Sequence, residues 1–185
     1  MKTLILSTVM TSVVAAGLMA QTSEVGQRKE NQQDRIAQGV GSGQLTAGET
    51  ANLEKKEAAI NQEVKADRSL NGGKLTPQER KTVNGQQNQM SRQIYADKHN
   101  AAAQHYGNNE VDARRQNQQQ RIANGIASGK LSAGQTARLE KNEAAVNQQV
   151  RTDRTLNGGK LTAGQRKQVN GEQNKMSKQI YKAKH

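Results

Sequence analysis

Few side chains in this sequence of 185 residues could bind a metal or act in catalysis. There is no cysteine, which excludes a thiolate zinc site, a disulfide framework and a thiol nucleophile. The three histidines, His99, His105 and His185, are not at a spacing that puts two of them on one helix face. Glu54 and Glu57 flank two lysines, so we expect them on an exposed helix face. With no nucleophile-base pattern and no phosphate-binding glycine loop, we expect a protein that is not an enzyme and has no cofactor.

Two segments, Gly43–Glu49 and Gly73–Glu79, share the pattern Gly-x-Leu-Thr-x-x-Glu. The pattern resembles the second half of an EF-hand calcium loop, and the resemblance implies Glu49 and Glu79 as ligands at the twelfth loop position. The first, third and fifth positions of such a loop also supply ligands. Here those positions hold no carboxylate: they are Gln38, Val40, Ser42, Arg68, Leu70 and Gly72. We expect no metal binding, and a degenerate EF-hand-derived, calcium- or metal-responsive module stays open as an alternative.

The Thr and Glu residues of this pattern also predict where helices begin. In a capping box, a Ser or Thr at the N-cap accepts a hydrogen bond from the backbone three residues later, and a Glu or Gln there accepts one in return. Pro77 stands at the first helical position after one such Thr, where its missing N–H is harmless. The four predicted boxes pair Thr46 with Glu49, Thr76 with Glu79, Ser132 with Gln135, and Thr162 with Gln165.

The chain contains an internal duplication. Residues 25–99 and 111–185 align without a gap at an offset of 86, and 48 of the 75 aligned positions are identical. Each copy has three segments with apolar residues at helical spacing, separated by glycine-rich stops. We predict an all-α fold of two tandem homologous three-helix units: repeat 1 at 21–99, a linker at 100–110 and repeat 2 at 111–185. Docking of the units on each other and homo-oligomer formation both stay open.

Thirteen large apolar side chains in the first copy form the predicted core. Each has a Leu, Ile, Val, Met or Tyr counterpart 86 residues later, a regularity that a disordered chain has no reason to keep. The predicted core is narrow, because the chain is 32% hydrophobic and 2% aromatic. Its members in the first copy are Val25, Ile36, Val40, Leu45, Leu53, Ile60, Val64, Leu70, Leu75, Val83, Met90, Ile94 and Tyr95.

Two family resemblances follow from these motifs. The segment Leu161–Gln165 resembles the LTxxQ motif of the periplasmic Spy/CpxP family, and Leu131–Gln135 is similar, while the first copy has Glu in place of the Gln. That resemblance implies a small exported helical protein that binds unfolded clients without ATP or regulates an envelope sensor. The mature chain also resembles uncharacterised bacterial exported helical proteins with the same Asn-Gly-Gly-Lys-Leu-Thr and Gln-Ile-Tyr-x-x-Lys-His segments, which implies no activity.

Residues 1–20 have the features of a secretory signal peptide. Lys2 is their only charge, an apolar run begins at Leu4, and Ala20 stands at the predicted cleavage site. The run is short and interrupted by hydroxyl residues, which argues against a membrane span. We predict an exported protein, periplasmic or extracellular, with no membrane span after signal cleavage.

Charge is the most informative feature for function. The formal net charge is +12. Residues 25–99 contain 12 basic and 9 acidic residues (net +3), whereas 111–185 contain 15 and 5 (net +10). An excess concentrated in one copy predicts an anionic partner there. The candidate anion-binding residues are Arg114, Arg115, Arg121, Arg138, Arg151, Arg154, Arg166, Lys167, Lys175 and Lys178.

Together these features predict a noncatalytic, exported, helical binding protein, chaperone-like or a scaffold, that engages anionic or unfolded partners in the cell envelope. Nonspecific binding of nucleic acid or acidic polysaccharide is an alternative, although only three tyrosines are available to stack on bases. A second alternative assigns the positive charge to solubility alone.

Overall fold

The computed structural model describes the backbone of residues 13–185 and the side chains of residues 24–185. The predicted signal peptide lies outside the residues whose side chains are described. The described chain contains no strand, and the predicted all-α fold is confirmed. Its helices are α1 (Val13–Ser42), α2 (Ala47–Leu70), α3 (Pro77–Lys98), α4 (Glu110–Ala127), α5 (Ala133–Leu156) and α6 (Ala163–Lys184).

Helices α2, α3, α5 and α6 each begin at the predicted capping box. At the start of α2, the backbone N–H of Glu49 donates to the Thr46 hydroxyl over 3.3 Å, and the Thr46 N–H donates to the Glu49 carboxylate over 2.9 Å. The boxes provide partners for N–H groups that have none within a helix. After α2, Gly72 and Gly73 have φ values of 61° and 86°. Glycine adopts this left-handed conformation without strain, so the pair ends the helix sharply.

The two copies pack on each other through matching helices. Helix α1 lies against α4 and α2 lies against α5, while α3 and α6 each pack on the other helices of their own copy. The main core therefore contains side chains from both copies, including Ile36 and Leu53 from the first and Ile122 and Leu139 from the second. Because helices pack on their own counterparts, the arrangement approximates a two-fold, and each helix of one copy has an equivalent in the other.

Buried glutamines join the first and third helices of each copy. Gln32 Nε2 donates to the backbone oxygen of Gln87 over 2.6 Å, and Gln87 Nε2 donates to the backbone oxygen of Val25 over 3.0 Å. Gln118 and Gln173 form the equivalent bonds between α4 and α6, over 2.7 Å and 2.8 Å. Burying an amide is unfavourable unless it is hydrogen-bonded. These bonds therefore allow an amide-rich chain to pack its helices closely.

Eleven of the thirteen predicted core residues of the first copy are buried, and two predictions are wrong. Leu70 is 84% exposed because it is the last residue of α2 and no further turn covers it. Tyr95 is 61% exposed because it directly follows a buried isoleucine and so points about 100° away from the core. Instead, its ring stacks on His99 with a centroid distance of 4.2 Å. The counterparts Leu156 and Tyr181 are exposed as well.

Candidate anion-binding surface

Four lysines form a stripe along one face of α6, and we refer to them as the lysine stripe. Lys167, Lys175, Lys178 and Lys182 follow one another at intervals of eight, three and four residues, which places them within about 80° around the helix and along about 22 Å of its axis. All four are exposed. None forms an ion pair with another described residue. The first three were predicted from the sequence and Lys182 was not, although it follows Lys178 by one turn.

The equivalent face of α3 lacks this charge. Lys81, Gln89, Arg92 and Ala96 occupy the four matching positions, and Asp97 adds an acid directly after the last of them. The two helices have the same length and begin at the same kind of cap. The stripe is therefore a difference of charge on a shared scaffold, and it belongs to the second copy alone.

Helix α5 places a fifth base at the edge of the stripe. Gln135 and Asn142 of α5 donate hydrogen bonds of 3.3 Å to the C-terminal half of α6. Arg138 lies between them in sequence and on the same helix face, because residues three and four apart are neighbours on a helix surface. It is exposed, so it adds a positive charge on the side of α5 that meets α6.

Four of the other predicted anion-binding residues differ in their exposure and in their contacts with other groups. Arg151 and Arg166 are exposed. Arg114 forms an ion pair of 3.0 Å with Glu110 one turn earlier. Arg121 is partly buried, and its guanidinium donates to a backbone oxygen of α6 over 3.1 Å. The free positive charge of the second copy is therefore concentrated on α5 and α6.

Arg115 and Arg154 hold a buried carboxylate. Asp112 is 2% exposed, and it accepts hydrogen bonds from Arg115 over 3.0 Å, from Arg154 over 3.1 Å and from Asn109 over 2.6 Å. Burial by itself raises the pKa of Asp112, but the bonds from Arg154, Asn109 and Arg115 outweigh it and lower the pKa below its usual value. Arg115 is 7% exposed, which removes it from the exposed bases.

Four glutamates are buried where α2 meets α5. Glu54, Glu57, Glu140 and Glu143 are each 1% exposed or less, so the expectation that Glu54 and Glu57 lie on an exposed face is wrong. Packing against the second copy covers them, while the two lysines between them point outward. Burial raises the pKa of Glu54 and of Glu143 to about 7 and that of Glu140 to about 8, and it also raises the pKa of Glu57. The cluster of four carboxyl groups is therefore partly protonated at neutral pH.

The two glutamates that the EF-hand resemblance implies as ligands are engaged in their helix caps. Glu49 accepts hydrogen bonds from the Thr46 backbone over 2.9 Å and from the Asn100 side chain over 2.6 Å. Glu79 accepts one from the Thr76 backbone over 2.7 Å, which lowers the pKa of Glu79. Within residues 24–185, no group of three or more His, Asp or Glu side chains is arranged to hold a metal ion.

Large apolar side chains are exposed only at scattered positions. In the described part of the chain these are Leu70, Tyr95, Leu156 and Tyr181. Leu70 precedes the start of α3 and Tyr95 lies near its end, and the second copy repeats this separation on α6. Single exposed apolar residues are ordinary on protein surfaces. Within each copy, the two exposed apolar residues therefore do not form one apolar patch.

Among the described helices, none has the length and apolar content that crossing a membrane requires. Comparison of the chain with protein-family models, curated proteins and solved structures found no match. The function must therefore be inferred from the side chains of the chain itself.

Proposed function

We propose that this protein is a noncatalytic, exported binding protein and that its lysine stripe holds an acidic polymer of the cell envelope. The observation that supports the proposal is the series of four exposed lysines on α6, where the matching positions of α3 hold two bases, one glutamine and one alanine. An ammonium group on a flexible stem acts as a point charge and imposes no fixed hydrogen-bond geometry. A row of such groups suits a partner with repeated negative charges better than a single small anion.

The composition of the stripe favours a polymer over a lipid surface. A helix that lies on a membrane carries large apolar side chains on the face that enters the lipid. The exposed residues between the lysines include small and polar ones such as Gly171 and Asn174. The large apolar side chain among them is Tyr181, whose ring stacks on His185 at 4.4 Å and does not continue into an apolar face. A narrow, straight row of charges about 22 Å long matches a linear polyanion, such as an acidic polysaccharide.

The test measures the affinity of the intact chain for heparin, used as a soluble acidic polysaccharide, at rising salt. Changing Lys167, Lys175, Lys178 and Lys182 together to Gln removes the stripe without altering side-chain length greatly. Because each exposed charge contact contributes about 0.2–1 kcal/mol, we expect the dissociation constant to rise roughly tenfold or more. The salt dependence should also become weaker, since fewer charge contacts are left to screen.

The matched control is the double variant Lys81→Gln and Arg92→Gln on α3, which removes the bases at two equivalent positions of the first copy. We expect less than about a twofold change, because these contacts are isolated ones on a nearly balanced surface. Anionic phospholipid vesicles and single-stranded DNA serve as competing probes. Heparin binding that is equal in the native chain and in the quadruple variant would contradict the proposal and leave solubility as the role of the charge.

A further inference from the structure

The linker between the copies occupies a groove on one side of the molecule. After α3 the chain turns over Gly43, where the backbone N–H of Gln104 donates to the Gly43 carbonyl over 2.7 Å. A side chain on Gly43 would come within 3.1 Å of the Gln104 carbonyl oxygen, so glycine is needed for this close approach. The opposite wall is Arg115, whose guanidinium donates to the Gln104 side chain over 3.0 Å. We refer to this site as the linker groove.

Tyr106 is the side chain that the linker inserts. Arg115 lies over its ring, 5.4 Å from the centroid, which is the arrangement of a cation–π contact. Glu140 and Glu143 lie close enough beyond the ring to affect the phenol, and burial raises the pKa of Tyr106 to about 12, so it is neutral. The linker groove therefore binds an extended segment through a backbone hydrogen bond at Gly43, the Gln104 side chain and one tyrosine.

The duplication builds the same walls on the opposite side. A groove with a volume of about 670 Å³ lies between the α4–α5 turn of the second copy and helices α1 and α2 of the first. Residues 18–20, the equivalents of Gln104–Tyr106, belong to helix α1 and form no such linker. We refer to this site as the open groove; its lining residues include Lys29, Gln33, Ala58, Asn61, Gly129 and Ser132.

Exposure shows what the linker covers on one side and what is uncovered on the other. Arg115, 7% exposed in the linker groove, corresponds to Lys29, which is exposed. A side chain on Gly129 would meet nothing within 4 Å. The other equivalent pairs behave alike: Gly43, Gln119 and Asn147 are buried, whereas Gly129, Gln33 and Asn61 are exposed or half-buried.

The charge of the open groove differs from that of the linker groove. Glu30 and Asp34 line it, and the equivalent positions of the second copy hold Gln116 and Gln120. Both acids are exposed and neither forms an ion pair with a described residue. A segment that fits the open groove therefore gains from a basic residue that the linker itself does not carry.

We infer that the open groove is a binding site for an extended peptide segment of a partner protein, with a tyrosine seated against Lys29 and a basic residue beside Glu30 and Asp34. The linker shows that an extended backbone and a tyrosine side chain fit the walls of such a groove. Glu30 and Asp34 indicate that the bound segment carries a positive charge. The inference is independent of the lysine stripe, which lies on α6 and contributes no residue to the groove.

The test titrates the intact chain into fluorescently labelled peptides and follows their anisotropy. The first peptide has the linker sequence of residues 101–109, and the second carries Tyr106→Ala. The third carries Ala103→Lys at the exposed position directly before Gln104, next to the end of α1, where Gly41 lies close to the side chain of Gln120, the equivalent of Asp34. We expect saturable binding of the first, about tenfold weaker binding of the second because the ring contact is lost, and about threefold tighter binding of the third at low salt. That advantage should disappear at 0.5 M NaCl, because exposed charges are then screened.

Two neighbouring substitutions locate the site. Ala58→Trp fills the open groove, and Ala59→Trp places the same side chain on an exposed position that does not line it. We expect at least about tenfold weaker peptide binding to the first variant and less than twofold change in the second and in the quadruple lysine-stripe variant. Circular dichroism confirms the fold of each, and Lys29→Glu provides a second groove variant. Absence of saturable binding of the tyrosine peptides to the native chain would overturn the inference. Binding to Ala58→Trp and to Lys29→Glu that is as tight as binding to the native chain would also overturn it.

Discussion

The two copies of the repeat differ at the start of α4 and at the matching stretch of α1. In the second copy Asp112 joins Arg115 and Arg154 in a buried cluster. In the first copy Gly26 stands at the position of Asp112, and Lys29 replaces Arg115. The capping boxes and the buried glutamine bonds nevertheless form in both copies. The comparison shows that the scaffold does not need this ion-pair cluster when the carboxylate is absent and the matching base, Lys29, is exposed to solvent, because no buried charge is then left without a partner.

The copies also differ in the charge of their surfaces. The second copy concentrates bases on α6, whereas the first places Glu30 and Asp34 at the open groove. Most of these substitutions change exposed side chains and leave the buried ones alone. Under the two proposals, one backbone therefore serves two partners of opposite charge, an acidic polymer on the second copy and a basic peptide on the first.

The largest effect expected from this comparison is that of Asp112→Ala. The substitution removes the carboxylate that Arg115 contacts at 3.0 Å and leaves Glu143, at 3.9 Å, as its remaining ion-pair partner. Breaking a buried ion pair from one side costs about 3–5 kcal/mol. We expect the free energy of unfolding to fall by about that amount in urea or guanidinium denaturation. The matched change in the first copy is Gly26→Ala, which meets nothing within 4 Å and replaces a helical glycine, so a gain of up to about 1 kcal/mol is expected. Equal effects of the two substitutions would contradict the reading of the cluster.

The next effect is a loss of stability as pH rises, caused by the four buried glutamates. Their folded-state pKa values lie above the ordinary value of 4.5, at about 7 for Glu54 and about 8 for Glu140. The folded chain therefore holds protons that the unfolded chain has released. This contribution is fully present below about pH 4.5 and is lost as pH rises through 7 to 8. We expect the melting temperature to fall between pH 5.5 and 8.5.

Glutamine substitutions assign this pH dependence to the glutamates. Glu140→Gln should remove at least about 1 kcal/mol of the loss, or about 2–4 °C of the fall in melting temperature. Glu54→Gln, the matched change in the first copy, should remove less at pH 8.5, because the pKa of Glu54 is raised less far. A melting temperature that falls equally in the native chain and in both variants would show that other groups cause the pH dependence.

The helices could be predicted from the sequence because their signals are local. A cap needs only a residue and another three positions later, as in Thr46 and Glu49, and periodic apolar residues need only one helix. The burial of Glu57 has a local signal too: although the lysines beside it suggest an exposed face, it belongs to the series Leu53, Glu57, Ile60 and Val64. These residues follow at intervals of four, three and four, which is the spacing of one buried face.

Contacts between the copies could not be predicted in the same way. The shared core requires α2 to pack on α5, and these two helices are far apart in sequence. No local sequence pattern indicates which face of one helix packs on which face of the other. The cation–π contact between Arg115 and Tyr106 depends on the linker lying across α4, whereas the ion pair between Arg115 and Asp112 is a local contact on one helix. The lysine stripe on α6 is a local feature, and three of its four lysines could be predicted from the sequence.

Smaller effects are expected at the helix caps, which contain different residues in the two copies. Thr76→Ala removes the hydroxyl that accepts from Glu79, and Thr162→Ala does the same against Gln165. Each should lower the free energy of unfolding by about 0.5–2 kcal/mol. The two losses should agree closely, because the hydroxyl makes the same bond in both boxes. If both variants unfold like the native chain, the capping boxes do not stabilise α3 and α6.

The smallest effect expected is that of calcium, and it separates the copies most cleanly because only the first has Glu49 and Glu79 where the second has glutamines. Both carboxylates already accept backbone N–H groups in their caps, and the loop positions that would complete a calcium site hold Gln38 and Arg68 among others. A ligand present at 100 times its dissociation constant would stabilise the fold by about 2.7 kcal/mol, which calorimetry resolves as several degrees. We expect 5 mM calcium to leave the melting temperature unchanged in the native chain and in the double variant Glu49→Gln, Glu79→Gln, which gives the first copy the chemistry of the second. A rise of several degrees that the double variant abolishes would instead assign a calcium site to the first copy, and the two repeats would then differ in ligand as well as in charge.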